Sequence, residues 1–215
     1  MKIDESTEAR DTYMSEIESL EKQIDSSGWL VCSSKFSKVL SPNFDDRPDN
    51  LEPTIVVIHN ISLPLGNFGG KNVENLFLNK LDTSRSEFRK LNSLKVSSHF
   101  FVKRTGHIVQ FVSTYKRAWH AGNSSFMGIT SCNDFSIGIE LEGSDFVSFE
   151  EKQYQSLFFL CQALAKKFPL LSAITSHEFI APKRKTDPGP FFDWKSLERN
   201  LRVLSICWKI FHKKN

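Results

Sequence analysis

Thr54-Ile55-Val56-Val57-Ile58-His59 is a continuous, largely β-branched apolar run that ends on a histidine. It is too short for a helix, so it predicts a strand buried on both faces in the middle of a sheet, delivering His59 at its end. Working outward, Ser136-Ile137-Gly138-Ile139-Glu140-Leu141-Glu142 alternates small or polar side chains with apolar ones, the pattern of a second strand. Its period of two puts Glu140 and Glu142 on the same face. Ala173 to Ser176 reads as a short strand leading to His177, and the chain from there to Pro190 reads as a Pro- and Gly-rich loop. Ser98 to Lys103 and His107 to Val112 form a hairpin around Thr105-Gly106.

Helices fill the intervals. Phe149 to Phe168 carries Tyr154, Leu157, Phe158, Cys161, Leu164 and Ala165 on one stripe and is stopped by Pro169. Asn72 to Lys80 and Ser86 to Leu94 read as short helices, and a final helix begins near Trp194. At the other end, residues 7 to 25 place Met14, Ile17, Leu20 and Ile24 at helical spacing, an amphipathic extension (residues 1 to 27) ahead of one domain over residues 28 to 215. The segment from there to Glu52 reads as irregular, with loops at Ser41-Pro42-Asn43 and around Pro48.

The 215 residues, 40% hydrophobic, suffice for one core and leave little for a second domain. A formal charge of +3 is too small and dispersed to argue for a nucleic-acid partner. Met1-Lys2-Ile3-Asp4-Glu5 lacks the order of a secretory signal, and no apolar run is long enough for a bilayer, so the expectation is a cytoplasmic protein without membrane insertion. Cys32, Cys132, Cys161 and Cys207 are far apart and form no metal-binding pair, which predicts reduced, mostly buried thiols.

Chemistry is concentrated in few residues. His177 stands ten positions before Asp187, across a loop able to fold both side chains toward a common point. With His59 they make two imidazoles and a carboxylate, a set that suits zinc and leaves a fourth tetrahedral position for water. Spacing alone does not remove the competitors His99, His107, His120 and His212. His107 and His212 look structural or solvated, whereas His99 and His120 adjoin aromatic residues and would line a groove or support a ligand from behind. One carboxylate beside a metal site, from the pair Glu140 and Glu142, would shuttle a proton, and Lys185 would offer a cation to an oxyanion.

Together, Val57-Ile58-His59-Asn60-Ile61-Ser62-Leu63-Pro64, Lys116-Arg117-Ala118-Trp119-His120-Ala121-Gly122, Cys132 to Gly143 and Ala181 to Pro190 resemble one group. It is the type 2 amidase and peptidoglycan recognition protein superfamily, and within it the cytoplasmic amidases of anhydromuropeptides. The resemblance runs from about Gly28 to about Leu197. It implies an α/β fold with a central mixed β-sheet flanked by helices, and zinc held by His59, His177 and Asp187. It implies Glu140 as the carboxylate assisting water and Lys185 as the oxyanion group. It also implies Asn60, Lys95, Trp119 and His120 as substrate-binding residues. The substrate would be an anhydromuropeptide, cut between the lactyl group of anhydro-N-acetylmuramic acid and L-alanine during peptidoglycan recycling.

The family places arginines where this chain has Lys95 and Ser131. Lys95 keeps charge without a bidentate fork and Ser131 keeps neither, which bears on the grip on stem-peptide carboxylates. Two other readings share the same motifs: an amidase of intact cell wall, and a non-catalytic peptidoglycan-binding module. A third, that the basic tail from Leu201 to Lys214 lies on a membrane surface, is set against a docked terminal helix.

Overall fold

A computed structural model describes residues 24–31, 34–203 and 206–213. In chain order its strands are β1 (Phe36–Lys38), β2 (Phe44–Asp46), β3 (Ile55–Ile61), β4 (Phe100–Val102), β5 (Ile108–Gln110) and β6 (Lys116–Ala118). They continue with β7 (Ser125–Phe126), β8 (Ile129–Thr130), β9 (Ser136–Glu142), β10 (Ala173–Ser176) and β11 (Lys209–Phe211). The α-helices are α1 (Asn72–Phe77), α2 (Glu151–Lys167), the single turn α3 (His177–Ile180) and α4 (Trp194–Val203).

A seven-stranded sheet in the order β1-β5-β4-β9-β3-β10-β11 forms the centre. β4, β9, β3, β10 and β11 run parallel, while β5 joins β4 antiparallel and carries β1 with it, so the sheet is mixed and α/β as expected. The apolar run 55–58 occupies the middle because both flanks of β3 are covered by other strands, and Val56, Val57 and Ile58 are wholly buried. Parity then divides the faces. Val56, Ile58, Ile137, Ile139, Leu141, Phe100 and Ile174 pack with Leu157, Leu160, Cys161 and Leu164 of α2 in one core. The alternate residues of β3 and β9 face away from α2, and among them His59 is in register with Glu140. The sheet therefore sets an imidazole beside a carboxylate on the face that α2 leaves free.

α2 is fixed at its start by a capping box between Glu150 and Gln153, and Gln153 also donates to the carbonyls of Val102 and Glu142. That ties the helix to the ends of β4 and β9, and β9 is the strand that bears Glu140.

Several sequence expectations need correction. The stretch before Glu52 is not wholly irregular: it supplies edge strand β1 and the ribbon of β2 with β6. Segment 86–94 is a 3-10 turn over Ser86–Leu91. His177 opens one helical turn rather than a loop, capped by Ser176, whose Oγ accepts from the Phe179 N–H. The last helix covers Trp194–Val203, and Lys209–Phe211 form edge strand β11 beside β10. These strands are three residues long, and their pairing partners lie far along the chain, so period alone did not separate them from loop. The N-terminal amphipathic helix lies outside the described residues except for Ile24 and Asp25, which are not helical; Ile24 is buried and bridges to Leu30.

Among the described cysteines, Cys132 and Cys161 are buried free thiols and Cys207 is exposed. Among the described residues, no helix is long and apolar enough to cross a membrane.

Candidate active site

His59 Nδ1, His177 Nδ1 and Asp187 Oδ2 form a near-equilateral triangle with sides of 2.9, 3.0 and 3.0 Å. Three segments build it: the end region of β3, the first residue of α3, and the loop after α3. The Glu178 N–H donates to the Asp187 carbonyl at 3.0 Å, which draws that loop back onto α3. Both imidazoles are almost fully buried, and the carboxylate is nearly so.

These three atoms suit a divalent ion by donor type and spacing, because ligands about 2.0–2.1 Å from a tetrahedral zinc stand ~3.3 Å apart. The hydrogen bonds behind them agree. With Nδ1 as the ligand atom on each ring, Nε2 carries the proton. His177 Nε2 then donates to the Ala121 carbonyl at 3.1 Å, and His59 Nε2 donates to His120 Nδ1 at 2.9 Å. His120 passes its own Nε2 proton toward Ser136 Oγ at 3.2 Å. Every tautomer along this path is settled by the next partner.

Burial explains the electrostatics. Desolvation, with the neighbouring His177 and against the pull of Asp187, lowers the His59 pKa to about 4, which keeps the ring neutral as a ligand must be. Burial likewise holds His120 well below the usual imidazole range and lowers His99 to about 3. Burial would raise Asp187, but hydrogen bonds from Nδ1 of His177 and His59, which can carry the ring protons while no ion is bound, outweigh that and hold the carboxyl below its ordinary value.

Glu140 lies next to this triangle through the β3–β9 register, and it is 8% exposed. Burial first, and the Asp187 charge second, push its pKa well above the usual carboxylate range; Lys185 draws it partly back. Its Oε2 is buried and accepts no hydrogen bond from any described residue. An orphaned carboxylate oxygen beside three convergent ligand atoms is what a base for a metal-activated water requires. Glu142, on the same face, is otherwise committed: it accepts from the Gly69 and Arg104 N–H groups at 2.5 and 3.0 Å.

His120 is held by its backbone. The Asn133 side-chain oxygen receives the N–H groups of His120 and Ala121 at 3.1 and 2.8 Å, and the ring lies over Gly138. A Cβ at Gly138 would come within 2.4 Å of the imidazole, so glycine is required there by close approach. The structure thus places His120 behind His59, buried. Deeper still, Arg47 donates to the Asn133, Asp134 and Ser136 carbonyls and approaches His99 Nε2 at 3.3 Å. His99 in turn accepts from the Gly138 N–H.

The remaining candidates are closer to solvent. Lys185 is exposed, with its N–H on the Ala181 carbonyl, and its charge acts on both Glu140 and His59. Trp119 is half-buried and donates from Nε1 to Asp45 at 3.2 Å. Asn60 is half-buried and donates to Asp145. Lys95 and Ser131 are both exposed. His107 bonds Ser37 and His212 stacks on Trp194, remote roles that agree with the sequence reading.

Sequence reasoning missed Arg184, which donates to the Ala121 and Asn123 carbonyls and so fastens the Asp187 loop to the turn behind His177. It missed Asn133, Arg47 and Asp145 as well. None carries a local signal, since their partners lie 12 to 89 residues away.

The sequence profile described as N-acetylmuramoyl-L-alanine amidase matches residues 49–190, which include every residue of the triangle. The chain belongs to that family. The 1,6-anhydro-N-acetylmuramyl-L-alanine amidase AmpD of Citrobacter freundii is 48% identical over 169 residues, covering 78% of this chain and 89% of that protein. The crystal structure of a selenomethionine AmpD derivative is 46% identical, with a TM-score of 0.77 over 81% of this chain and 97% of its own. A third similar structure is the Escherichia coli amidase AmiD in complex with its substrate anhydro-N-acetylmuramic acid-L-Ala-D-γ-Glu-L-Lys. It is 31% identical, with a TM-score of 0.50 over 69% of this chain and 57% of its own. The fold is accordingly that of the type 2 amidases.

Proposed function

We propose that this amidase hydrolyses the amide between the lactyl group of 1,6-anhydro-N-acetylmuramic acid and the L-alanine of the stem peptide, as a zinc enzyme of peptidoglycan recycling in the cytoplasm. The observation that carries the reading is the convergence of His59, His177 and Asp187 beside Glu140, whose buried Oε2 has no hydrogen-bond partner among the described residues. The similarity to AmpD, whose name states this bond, supports the substrate.

A zinc ion held by the triangle would polarise the scissile carbonyl and make a water nucleophilic near neutrality. The chain's own groups do the rest. Glu140 Oε2 accepts the proton of the attacking water and returns it to the departing L-alanine nitrogen, a role suited to a carboxyl whose pKa burial has raised well above the usual carboxylate range. Lys185 Nζ faces the negative charge that develops on the carbonyl oxygen. His120 and the Ala121 carbonyl hold the two ligand rings in one orientation and one tautomer. Asn60 and Trp119 contact the anhydro sugar at the rim. Lys95 attracts the stem-peptide carboxylates as a point charge, without the fork an arginine would offer.

The substrate assignment is tested by comparing soluble anhydromuropeptide with purified sacculus at equal amide concentration. The expected result is rapid release of free peptide from the soluble fragment and at least ~10-fold slower release from the wall, one step in kcat/KM being about 1.4 kcal/mol. Equal or faster cleavage of sacculus would assign the protein to intact wall instead.

A further inference from the structure

Asp145 lies three residues beyond the end of β9, outside the metal triangle, yet three parts of the site meet on its carboxylate. Its Oδ1 accepts from Asn60 Nδ2 at 2.7 Å, beside His59 on β3. Its Oδ2 accepts from Thr186 Oγ1 at 2.5 Å, and Thr186 stands between Lys185 and Asp187. Gly189, at φ +80°, packs directly on it: a Cβ there would lie 2.7 Å from Asp145 Cα and Oδ1. No other side chain except glycine permits that approach without displacing the loop.

We infer that Asp145 is a positioning residue that locks the loop carrying Lys185 and Asp187 to the end of β9 and fixes which end of Asn60 is offered to substrate. An ionised carboxylate only accepts, so the Asn60 group turned to Asp145 is its NH2. The carboxamide oxygen, to which no described residue donates, is thereby left as an acceptor for a substrate N–H. The other oxygen immobilises Thr186, and with it the residues on either side. Without Asp145 the loop keeps its bonds to Glu178 and Ala181 and the Arg184 bonds to the Ala121 and Asn123 carbonyls, but loses its only side-chain tie, among the described residues, to the β9 side of the site. The Asn60 arm rests on the amidase reading; the loop arm does not.

The test uses zinc-loaded full-length protein as wild type, Asp145→Ala, Asp145→Asn, Thr186→Val, Asn60→Ala and the double variant Asn60→Ala/Asp145→Ala. Zinc transfer to a chelator, measured without substrate, should accelerate ~10-fold in Asp145→Ala and Thr186→Val, the usual scale for a partner one shell behind a ligand. It should stay at the wild-type rate in Asn60→Ala. Asp145→Asn, which keeps one acceptor, should fall between. On anhydromuropeptide, Asp145→Ala should raise KM, and should raise it no further when Asn60 is already alanine. Zinc release unchanged in both Asp145→Ala and Thr186→Val, or KM effects that multiply in the double variant, would overturn the inference. If the wild type fails to cleave, the amidase reading falls while zinc release still decides the loop arm. If Asp145→Ala fails to fold, Thr186→Val, close in shape to the native residue, decides it.

Discussion

Asp187→Ala is expected to lose zinc and amide cleavage together, with kcat/KM falling by ~10^3 or more, because several kcal/mol of barrier lowering depend on the ion. Asp187 Oδ2 stands 3.0 Å from each ligand nitrogen, so it closes a triangle that two histidines alone leave open on one side. It is also the one anionic member, and its low pKa keeps it charged throughout the working range. Removing it leaves His59 and His177 neutral, buried and 2.9 Å apart, a poor two-coordinate site. Metal content by atomic emission and product release by mass spectrometry, on the same preparation, check the prediction. A variant that keeps full zinc occupancy and full activity would exclude this ligand set.

Glu140→Gln is expected to cut kcat by ~10^2–10^4 while making the metal-free protein more stable at neutral pH. Gln fills the same volume but cannot take a proton from water. The stability change follows from burial. Desolvation and the Asp187 charge raise the Glu140 pKa in the folded state. Its contribution is therefore most favourable below the unfolded carboxylate value of about 4.3, and is lost as pH rises through the raised folded value. Gln has no charge to bury at any pH. The variant's Tm should exceed that of the wild type at pH ~7, and the gap should close toward pH ~4, where both side chains are neutral. Calorimetry of the metal-free proteins at the two pH values reads this out. A destabilised variant at neutral pH would mean that Glu140 forms a favourable ionic contact instead. Such a trade of stability for chemistry is common where a reactive group must stay desolvated.

How much of this was legible in the chain depended on the range of each signal. The middle strands announced themselves because β3 and β9 are long enough to show their burial pattern, and because their parity fixes which side chains share a face. That was enough to set Glu140 beside Glu142 on one face, though only the β3–β9 register set it beside His59. The ligand set was open on spacing alone, with His99 and His120 as rivals, and the resemblance chose among them. The structure brings the chosen three together and puts the rivals in successive layers behind, where His120 bonds His59 and His99 bonds the Gly138 N–H. The supporting layer was not legible at all. Asn133, Arg184, Arg47 and Asp145 are ordinary polar residues in sequence, and become informative only when loops from distant parts of the chain are closed on one another. The short edge strands β1 and β11 were missed for the same reason: three residues carry too little pattern to be told from loop without their partners.

The central claim is hydrolysis at one carbonyl, and the most direct measurement is the mass spectrum of products formed from anhydro-N-acetylmuramyl tripeptide in heavy-oxygen water by the zinc-loaded protein. The expected products are free, unlabelled tripeptide and anhydro-N-acetylmuramic acid with one heavy oxygen in its lactyl carboxylate. Intact muropeptide after prolonged incubation, or label in any other product, would contradict that claim.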